Sequence, residues 1–376
     1  GRTTTFTYDN NGNTLTRNVT DGTTTRTWTQ TFDSYGRLLT SDGPRSDVTD
    51  ITTTAYYPNT AAQGNNRGMV ASITNGLSQT TQITSYDPLG RPAQTVDANG
   101  LTTTFTHWPR GWLKSRTVGS ETTRYEYDPV GQLSKVMLPD GSFLQYGYDA
   151  AHRLTQIQDS LGNRIVYTLD LNGNRQVEET FDPQGNKTTT RSRSFNAENR
   201  LAYEIGALNQ TTTHEYDQSG NLILSADPLN RVTTRGYDLL GRLTTVVDPV
   251  NGELKPTRYG YDLQDNLTKV TDPLGRETLY AYNGFGELTA ETSGVTGTTG
   301  FTYDVASNLK TRTDARGITA GFTYDPLNRL IQITWPDQTI TYQYDGCANG
   351  IGRLCSITDL AGATTFSYNA IGRVSA

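Results

Sequence analysis

A short motif recurs along this sequence, and its spacing constrains the fold more than any other feature. A Tyr-Asp pair is followed three residues later by Gly-Arg-Leu or a close variant, usually at intervals of about 21 residues. The most regular run places its tyrosines at Tyr261, Tyr282, Tyr303 and Tyr324. About seventeen copies can be recognised, so the chain is predicted to be a repeat array rather than an ordinary globular domain.

Each copy supplies an aromatic ring and an aspartate, and the fullest copies add a glycine and an arginine. We treat these residues as the candidate structural site of the repeat. They are Tyr8, Asp9, Tyr86, Asp87, Gly90, Arg91, Tyr127, Asp128, Tyr148, Asp149, Tyr216, Asp217, Tyr237, Asp238, Gly241, Arg242, Tyr261, Asp262, Tyr282, Tyr303, Asp304, Tyr324, Asp325, Tyr344, Asp345 and Tyr368. Weaker copies keep the spacing but replace the tyrosine, as at Phe32, His107, Leu169 and Phe195.

The segments between the copies carry the chemistry of tight turns. Residues 87–90 and 272–275 both read Asp-Pro-Leu-Gly, which places aspartate, proline and glycine where a type I turn selects them. The glycine can adopt the left-handed geometry that ends a hairpin loop with a bulge. Asn230 and Asn328 replace it in matching stretches, and asparagine is the next residue most tolerant of positive φ. The motif therefore predicts hairpin turns, including the Asp-Pro turn that begins at 248–249.

Between the turns, aromatic and polar residues alternate with period two, as in 321–324 and 341–344. This pattern predicts strands with one aromatic and one polar face. Leu133, Leu243 and Leu330 are expected to fill the space between successive aromatic residues. Apolar residues do not recur at helical spacing over the length that a helix needs. The predicted fold is all-β, a repeat array of antiparallel β-hairpins of about 21 residues each.

Composition limits how these hairpins can be arranged. Only 34% of the residues are hydrophobic, too few for a thick aliphatic core. Seventeen hairpins at about 4.8 Å per strand would span roughly 160 Å, far wider than a stable open sheet. Coiled into one ring, such a sheet would be roughly 50 Å across, too wide for side chains to fill. We therefore expect a single-layer hollow shell or tube.

We interpret residues 1–376 as one continuous repeat array, with irregular insertions near 58–80 and 171–195. The chain begins within one unit and stops within another, so we expect an excerpt of a longer array.

The motif resembles that of the YD-repeat, or RHS-repeat, family. Residues 86–91, 237–243 and 344–354 carry the resemblance, which covers essentially the whole chain. The family occurs in bacterial RHS toxins, in the C components of Tc toxin complexes and in animal teneurins. The resemblance implies a β-strand shell, which in bacterial toxins spirals around a C-terminal cytotoxic polypeptide. It also implies a protease core and a toxic domain in toxin-type relatives, and neither is found in this sequence.

No sequence motif for catalysis or cofactor binding is present, and we predict a protein that is not an enzyme and has no cofactor. His107, His152 and His214 fall on positions of the repeat grid and are expected to be structural. The many aspartates could suggest calcium, but they lie in turns without the alternating ligands of a calcium loop. Turn capping is the preferred interpretation, and no metal site is assigned.

The arginines that follow the turn glycine could form a polyanion-binding stripe. A net charge of −6 argues against nucleic acid as a partner, so we expect these arginines to pair with turn aspartates or to lie on neighbouring rings. The tryptophans could instead stack on surface glycans. They are Trp28, Trp108, Trp112 and Trp335.

Cys347 and Cys355 bracket a predicted hairpin tip, where their sulfurs could meet across neighbouring strands. A disulfide would indicate an oxidising, extracellular compartment, whereas the alternative is two separate thiols. The sequence contains no membrane-spanning run, so we expect no membrane insertion by this segment.

Two functions remain open. The first is a non-catalytic shell in a secreted or cell-surface bacterial protein, which encloses a C-terminal toxin or other cargo. The second is an extracellular tubular filament or an adhesive, glycan-binding scaffold. Both have other repeats, of the same or neighbouring chains, as partners.

Overall fold

The computed structural model describes residues 1–248 and 255–375. Within these residues the chain forms 33 β-strands, β1 to β33, and one short 3-10 helix at Ala61–Asn66. This all-β architecture confirms the predicted fold class. The 3-10 helix was not predicted, and it occupies the insertion near residue 58.

The first half of the chain forms short strands that tight turns join into hairpins. These strands are β1 Thr3–Tyr8, β2 Thr14–Thr20, β3 Thr25–Phe32, β4 Leu38–Asp42, β5 Thr52–Tyr56, β6 Val70–Thr74, β7 Thr80–Tyr86, β8 Pro92–Val96, β9 Thr102–His107, β10 Leu113–Val118, β11 Glu121–Tyr127, β12 Leu133–Met137, β13 Phe143–Tyr148, β14 Leu154–Asp159, β15 Arg164–Leu169, β16 Arg175–Phe181 and β17 Lys187–Phe195.

The second half continues the same alternation. Its strands are β18 Leu201–Ile205, β19 Thr211–Tyr216, β20 Leu222–Ala226, β21 Val232–Tyr237, β22 Leu243–Val247, β23 Thr257–Tyr261, β24 Leu267–Thr271, β25 Glu277–Tyr282, β26 Leu288–Ser293, β27 Gly297–Tyr303, β28 Leu309–Thr313, β29 Thr319–Tyr324, β30 Leu330–Thr334, β31 Thr339–Tyr344, β32 Leu354–Asp359 and β33 Gly362–Thr365.

Each strand pairs in antiparallel fashion with the strands before and after it, so the described chain forms one long meander. The Tyr-Asp turns join odd strands to the following even strands and form what we call the motif edge of the sheet. The turns from even to odd strands form the opposite edge, which we call the return edge. Around 171–195, where we expected an irregular insertion, the extra residues instead lengthen β16 and β17, which pair along their length. The Asp-Pro turn predicted at 248–249 extends outside the described residues.

A β-bulge lies beside the motif tyrosine in copy after copy. The register shifts between Gly236 and Tyr237, for example, so that Tyr237 lies opposite Leu243. Tyr127 and Tyr324 likewise lie opposite the leucines predicted to fill the sheet, Leu133 and Leu330. The bulge adds local twist at one end of each hairpin. Because it recurs in copy after copy, it contributes twist all along the sheet.

The two faces of the sheet differ as the alternation predicts. On one face, aromatic residues lie opposite aliphatic ones, as in the pairs Tyr125–Val136 and Tyr259–Val270. On the other face, cross-strand threonine hydroxyls hydrogen-bond, and Thr302 Oγ1 lies 2.6 Å from Thr311 Oγ1. Such cross-strand pairs stabilise a sheet locally without a second layer.

The protein has very little conventional core. Its accessible surface is 22176 Å², whereas a compact protein of this size would expose about 15,000 Å². Among the described residues, the buried apolar side chains are Val19, Tyr86, Tyr167, Ala320 and Cys355. Both faces of a single layer are therefore largely accessible.

The sheet does not close into a ring. It coils until its late turns meet its early ones: the turn between β25 and β26 contacts the turn between β2 and β3, 23 strands earlier. One winding of about 23 strands has a circumference of about 110 Å and a diameter of about 35 Å, which strand tilt would widen. The predicted coiling of a single-layer sheet is confirmed, and each winding is narrower than the roughly 50 Å of one closed ring because the array overlaps itself as a spiral.

Candidate functional site in the repeat turns and the winding seam

The motif aspartate organises its turn through both carboxylate oxygens. In the best-preserved copy, Asp238 Oδ1 accepts hydrogen bonds from the backbone N–H groups of Leu240 and Arg242, both at 2.9 Å. Its Oδ2 accepts a bond of 2.7 Å from Nε of Arg242. The backbone N–H of Arg242 contributes most to holding the pKa of Asp238 below its usual value. The aspartate is therefore a turn cap that works best when ionised.

Asparagine often replaces the arginine without changing this arrangement. Asn221 and Asn266 donate their side-chain amides to Oδ2 of Asp217 and Asp262, both at 2.9 Å. The return edge uses the same device, since Arg276 Nε donates to Oδ2 of Asp272 at 2.6 Å. The aspartates predicted to cap turns therefore bind backbone and side-chain donors of their own loops.

The fourth turn position requires positive φ. Gly90 and Gly241 have φ of 76° and 75°. Asn230 and Asn328 both have φ of 58°, as their substitution for glycine predicts. His152 occupies the same kind of position with φ of 65°.

The hydroxyl group of the motif tyrosine links its own hairpin to the preceding hairpin by a hydrogen bond. The hydroxyl donates to the main-chain carbonyl of the residue that begins the neighbouring strand, at 2.7 to 3.0 Å. These donor–acceptor pairs are Tyr56–Leu38, Tyr86–Val70, Tyr148–Leu133, Tyr216–Leu201, Tyr237–Leu222, Tyr261–Leu243, Tyr282–Leu267, Tyr324–Leu309 and Tyr368–Leu354. Successive copies are therefore linked by a ladder of tyrosine hydroxyls.

Arginines of the motif connect successive copies as well. The guanidinium of Arg242 lies 4.9 Å from the ring centre of Tyr261 in the next copy, and that of Arg329 lies 4.4 Å from the ring of Tyr344. Each of these arginines also pairs with its own turn aspartate. The same arginine side chains thus make both expected contacts, the ion pair with a turn aspartate and the packing on a neighbouring aromatic ring.

The three histidines lie on the repeat grid. His107 takes a motif tyrosine position opposite Leu113, and His214 pairs across the sheet with Ser225. The imidazole of His152 hydrogen-bonds the Gln132 side chain at 2.8 Å. No group of three or more His, Cys, Asp or Glu residues suited to a metal ion occurs in 1–248 and 255–375.

Cys347 and Cys355 are joined by a disulfide at the turn that follows Tyr344. The bridge closes a turn enlarged relative to the other motif turns, since Asp345 bonds to the backbone of Arg353 rather than to a residue four positions on. Across the same described ranges, no helix is long and apolar enough to cross a membrane.

The tryptophans are dispersed rather than gathered into one aromatic patch. Trp108 and Trp112 belong to one turn and are linked by a backbone hydrogen bond of 2.8 Å. Trp112 packs against Tyr127, with ring centres 5.3 Å apart. Trp28 lies on β3 beneath the guanidinium of Arg17, 4.3 Å from the ring centre. Trp335 begins the turn between β30 and β31.

A seam joins the two windings of the spiral, and Arg26 forms a buried ion pair across it. Nη2 of Arg26 donates to both carboxylate oxygens of Glu287, at 2.8 and 2.9 Å, and Nη1 donates to Ser307 at 2.6 Å. The guanidinium also lies 3.8 Å from the ring centre of Phe285. The side chains of Arg26 and Glu287 are only 9% and 11% exposed. A desolvated, charge-assisted pair of this kind holds two distant parts of the chain in register.

Burial opposes ionisation of the Glu287 carboxyl. Hydrogen bonds from Ser307, Asn283 and Arg26 outweigh this effect and hold the pKa of the carboxyl below its usual value.

Arg45 makes a second contact of the seam. It lies in the long turn between β4 and β5 and donates to the main-chain carbonyls of Asp325 at 2.6 Å and Tyr324 at 3.2 Å. Nη2 of Arg45 also forms an ion pair with Oδ2 of Asp47, at 2.7 Å. Arg45 and Asp325 are both buried.

Two further contacts continue the seam. The Asn99 side chain exchanges two hydrogen bonds of 2.9 Å with the main chain of Ile351. Beyond this contact, Arg373 forms an ion pair with Glu121. The residues joined across the whole seam lie between 252 and 283 positions apart in the chain. In each contact, a motif-edge turn of the later winding packs on the return edge of the earlier winding.

The repeat pattern does not identify Arg26, Arg45 or Glu287 as residues that join two windings. Arg26 lies six positions before its motif aromatic, and so do Arg231 and Arg276, which are 68% and 57% exposed. The local sequences differ, because Arg231 and Arg276 follow a turn aspartate by four residues and pair with it, whereas Arg26 has no aspartate at that spacing and lies within β3.

Comparisons with known proteins agree with the geometry of the repeats. A family profile described as Teneurin YD-shell matches residues 60–250. A second, described as RHS Repeat, matches the overlapping segments 237–277, 261–299, 282–319 and 303–340.

One curated protein, the double-stranded DNA deaminase toxin A of Burkholderia cenocepacia (strain H111), is 30% identical over 140 residues. The match covers 37% of this chain and 9% of that protein. Among solved structures, a TcdB2-TccC3 crystal structure aligns with 99% of this chain at 15% identity and a TM-score of 0.57. A Tc holotoxin pore of Photorhabdus luminescens aligns over 99% at 14% identity and a TM-score of 0.54. This chain spans 22% and 24% of those two chains, so the likeness shows a shared fold over part of their length.

Proposed function

This chain belongs to the YD-repeat shell family, and on that premise we propose that it forms part of the wall of a hollow shell enclosing a folded or partly folded cargo. In this proposal the whole protein is bacterial, secreted or surface-exposed, and the cargo is a C-terminal toxin or another polypeptide. The wall itself is structural and performs no catalysis, and residues 1–376 act as one continuous array.

The single observation that carries the proposal is the seam between windings. A sheet with both faces accessible gains little from a core, yet its windings are held by buried contacts at Arg26 and Arg45. Such contacts join successive windings of the narrow sheet into a continuous wall. A winding about 35 Å across, with a wall about 10 Å thick, leaves an interior about 25 Å wide. Side chains do not fill that width, so it can hold polypeptide.

The repeat motifs have a place in this proposal. The aspartate shapes each turn, the tyrosine hydroxyl joins each hairpin to the one before, and the arginine covers the next ring. We propose that these residues keep the wall continuous and recognise no ligand. The Cys347–Cys355 disulfide supports an oxidising, extracellular compartment.

The test uses the full-length natural protein that contains this chain. Cryo-electron microscopy of the wild type is expected to reveal a hollow particle with extra density inside. Limited proteolysis is expected to leave the enclosed polypeptide intact, whereas an Arg26→Met variant should expose it sooner. Arg276→Met, which removes an exposed turn arginine that pairs only with Asp272 of its own turn, is the control.

The alternative function is an extracellular tubular filament or an adhesive, glycan-binding scaffold. The spiral form of the sheet, in which a second winding packs on the first at the seam, also suits a tube of many windings. An empty tube in the micrographs, with no enclosed density, would overturn the container proposal and favour the filament.

A further inference from the structure

The turn between β31 and β32 is larger than the motif turn before it. Nine residues, 345–353, connect these two strands, whereas five residues, 325–329, connect β29 to β30. The additional residues include Cys347, whose sulfur is bonded to that of Cys355 on β32. We call residues 345–355 the bridged turn.

The bridged turn makes one of the contacts of the seam. Nδ2 of Asn99 donates to the main-chain carbonyl of Ile351, and the N–H of Ile351 donates to Oδ1 of Asn99, both at 2.9 Å. Asn99 lies in the return-edge turn 97–101, and Ile351 lies between the two cysteines in the chain. Because the contact uses the main chain of Ile351, it depends on the backbone conformation of the bridged turn.

The disulfide fixes this backbone conformation. Gly350 is buried against the bridge, and a Cβ at this position would lie 2.7 Å from Sγ of Cys355. The Gly350 N–H donates to the Cys347 carbonyl at 2.9 Å, and the Arg353 N–H donates to the Gly350 carbonyl at 2.8 Å. Ile351 is the next residue in the chain, so the seam contact lies beside the sulfurs. Loss of the bridge therefore frees the segment that forms the contact.

The aspartate of the bridged turn holds a different part of it. In a regular turn such as that of Asp238, one carboxylate oxygen accepts the N–H groups two and four positions later. Oδ1 of Asp345 accepts the N–H of Gly352, seven positions later, at 2.6 Å. The two Asp345 oxygens also bind the guanidinium of Arg329 in the preceding copy, at 3.1 and 2.6 Å. The carboxylate thus closes the base of the bridged turn, whereas the disulfide shapes its tip.

The two sulfurs differ in accessibility. Cys355 is buried, whereas Cys347 is half-buried between two exposed residues, Gly346 and Ala348. A thiolate that attacks Sγ of Cys347 forms a mixed disulfide and releases the Cys355 thiolate, and a second thiol then attacks the external sulfur and releases Cys347. The two cysteines end as thiols, having taken two electrons and two protons from the external thiols, which leave as one disulfide.

We propose that the Cys347–Cys355 disulfide is a site of thiol–disulfide exchange with small-molecule thiols, and that its redox state controls the seam contact at Asn99. The oxidised bridge presents the main chain of Ile351 to Asn99. After reduction, the bridged turn gains conformational freedom, and the contact is lost.

The effect is local because the other seam contacts are made by other turns. In an oxidising compartment the two windings stay joined at the bridged turn, whereas a thiol-rich compartment separates them there. This inference goes beyond the container proposal and needs no cargo.

Reciprocal coupling tests the proposal. A bridge that favours the contact with Asn99 is itself favoured by that contact, by the same factor. The full-length natural protein that contains this chain is equilibrated with mixtures of reduced and oxidised glutathione, and alkylation followed by mass spectrometry measures the bridged fraction of Cys347. Asn99→Ala is expected to shift this equilibrium toward the dithiol by about fivefold or more.

Asn172→Ala is the matched control. Asn172 holds the same position as Asn99 in a turn of the form Asp-x-Asn-Gly, but it is exposed and its side chain bonds to Asn199. This variant should leave the redox equilibrium of the bridge unchanged.

Hydrogen exchange tests the seam itself. The Ile351 N–H, which donates across the seam, and the N–H groups of turn 97–101 are expected to exchange about tenfold faster or more after reduction with dithiothreitol. The variant Cys347→Ser/Cys355→Ser should match the reduced wild type without any reductant. Exchange around Arg26 should stay unchanged, because that part of the seam involves other turns.

Three results would overturn the proposal. An equilibrium that Asn99→Ala shifts no more than Asn172→Ala does would show that the bridge and the seam contact are independent. A bridge that stays intact in a large excess of reduced glutathione would exclude exchange at this site. Faster exchange throughout the sheet after reduction would assign the disulfide to the folding of the whole array instead.

Discussion

Nη2 of Arg26 hydrogen-bonds both carboxylate oxygens of Glu287, although the two residues are 261 positions apart in the chain. The pair is nine-tenths buried and lies where two windings of one sheet meet. The packing of one winding on the next therefore depends on a specific side chain, whereas the hairpins do not depend on it.

The first prediction concerns this pair. Arg26→Met should lower the free energy of unfolding of the seam by about 3 to 5 kcal/mol, because it leaves the Glu287 carboxylate buried without its partner. Arg276→Met, at an exposed turn pair, should cost about 1 kcal/mol or less. Urea denaturation, together with hydrogen exchange at the seam, measures both changes in the free energy of unfolding. The double variant Arg26→Met/Glu287→Met should recover most of the loss, and equal effects of the two single arginine variants would contradict the assignment.

The second prediction tests the tyrosine hydroxyl ladder. Tyr282→Phe should cost about 1 kcal/mol, because it removes the bond to the Leu267 carbonyl while keeping the ring. Tyr303→Ala should cost about 3 kcal/mol or more, since the whole ring is lost. Tyr35→Phe is the control, because Tyr35 lies at a turn apex and is 66% exposed. Denaturation midpoints compare the variants, and a Tyr282→Phe protein as stable as the wild type would refute a stabilising role for the hydroxyl.

The third prediction concerns acid. Backbone N–H groups of Thr24 and Thr23 lower the pKa of Asp21 from 3.8 to about 2, and many turn aspartates shift in the same direction. A carboxyl whose pKa is lower in the folded state stabilises the fold fully above its unfolded pKa and loses that contribution as pH falls through the folded pKa. The thermal midpoint should thus be flat above about pH 5 and fall steeply between about pH 4 and 2.

A matched variant isolates the charge. Several copies already hold asparagine at the aspartate position, and Asn283 accepts the same two backbone N–H bonds. Replacing Asp217 and Asp262 by asparagine should therefore make the acid transition shallower while preserving the turns. Thermal melts from pH 6 to 2 compare the two proteins, and an unchanged slope would show that other groups cause acid unfolding.

The fourth prediction concerns turn geometry. Gly90→Ala should destabilise the fold by about 1 kcal/mol, because a Cβ is strained at φ of 76°. His152→Gly relieves the same strain at φ of 65° but also removes the hydrogen bond to the Gln132 side chain, so it should change stability by less than about 1 kcal/mol. Gly300→Ala is the control, since its added Cβ would meet only one atom, at 4.0 Å. Denaturant titrations give the differences, and a neutral Gly90→Ala would argue against the turn assignment.

The sequence by itself determined the hairpins. Each turn is made by residues close together in the chain, such as Asp238 and Arg242, so its chemistry is visible in any single copy. The opposition of Tyr237 and Leu243 follows from the same local pattern.

Only the tertiary structure decided how the array coils and which side chains become buried. Arg26 and Arg276 both lie six residues before a motif aromatic, yet Arg26 is buried in the seam, whereas Arg276 pairs with Asp272 of its own turn and faces solvent. Leu327 and Leu274 differ in the same way within one turn sequence. Burial here depends on how many strands make one winding, and that number is set by twist accumulated over the whole sheet. A quantity summed over about 23 strands cannot be read from one repeat, because a small change in twist per hairpin shifts every contact of the seam.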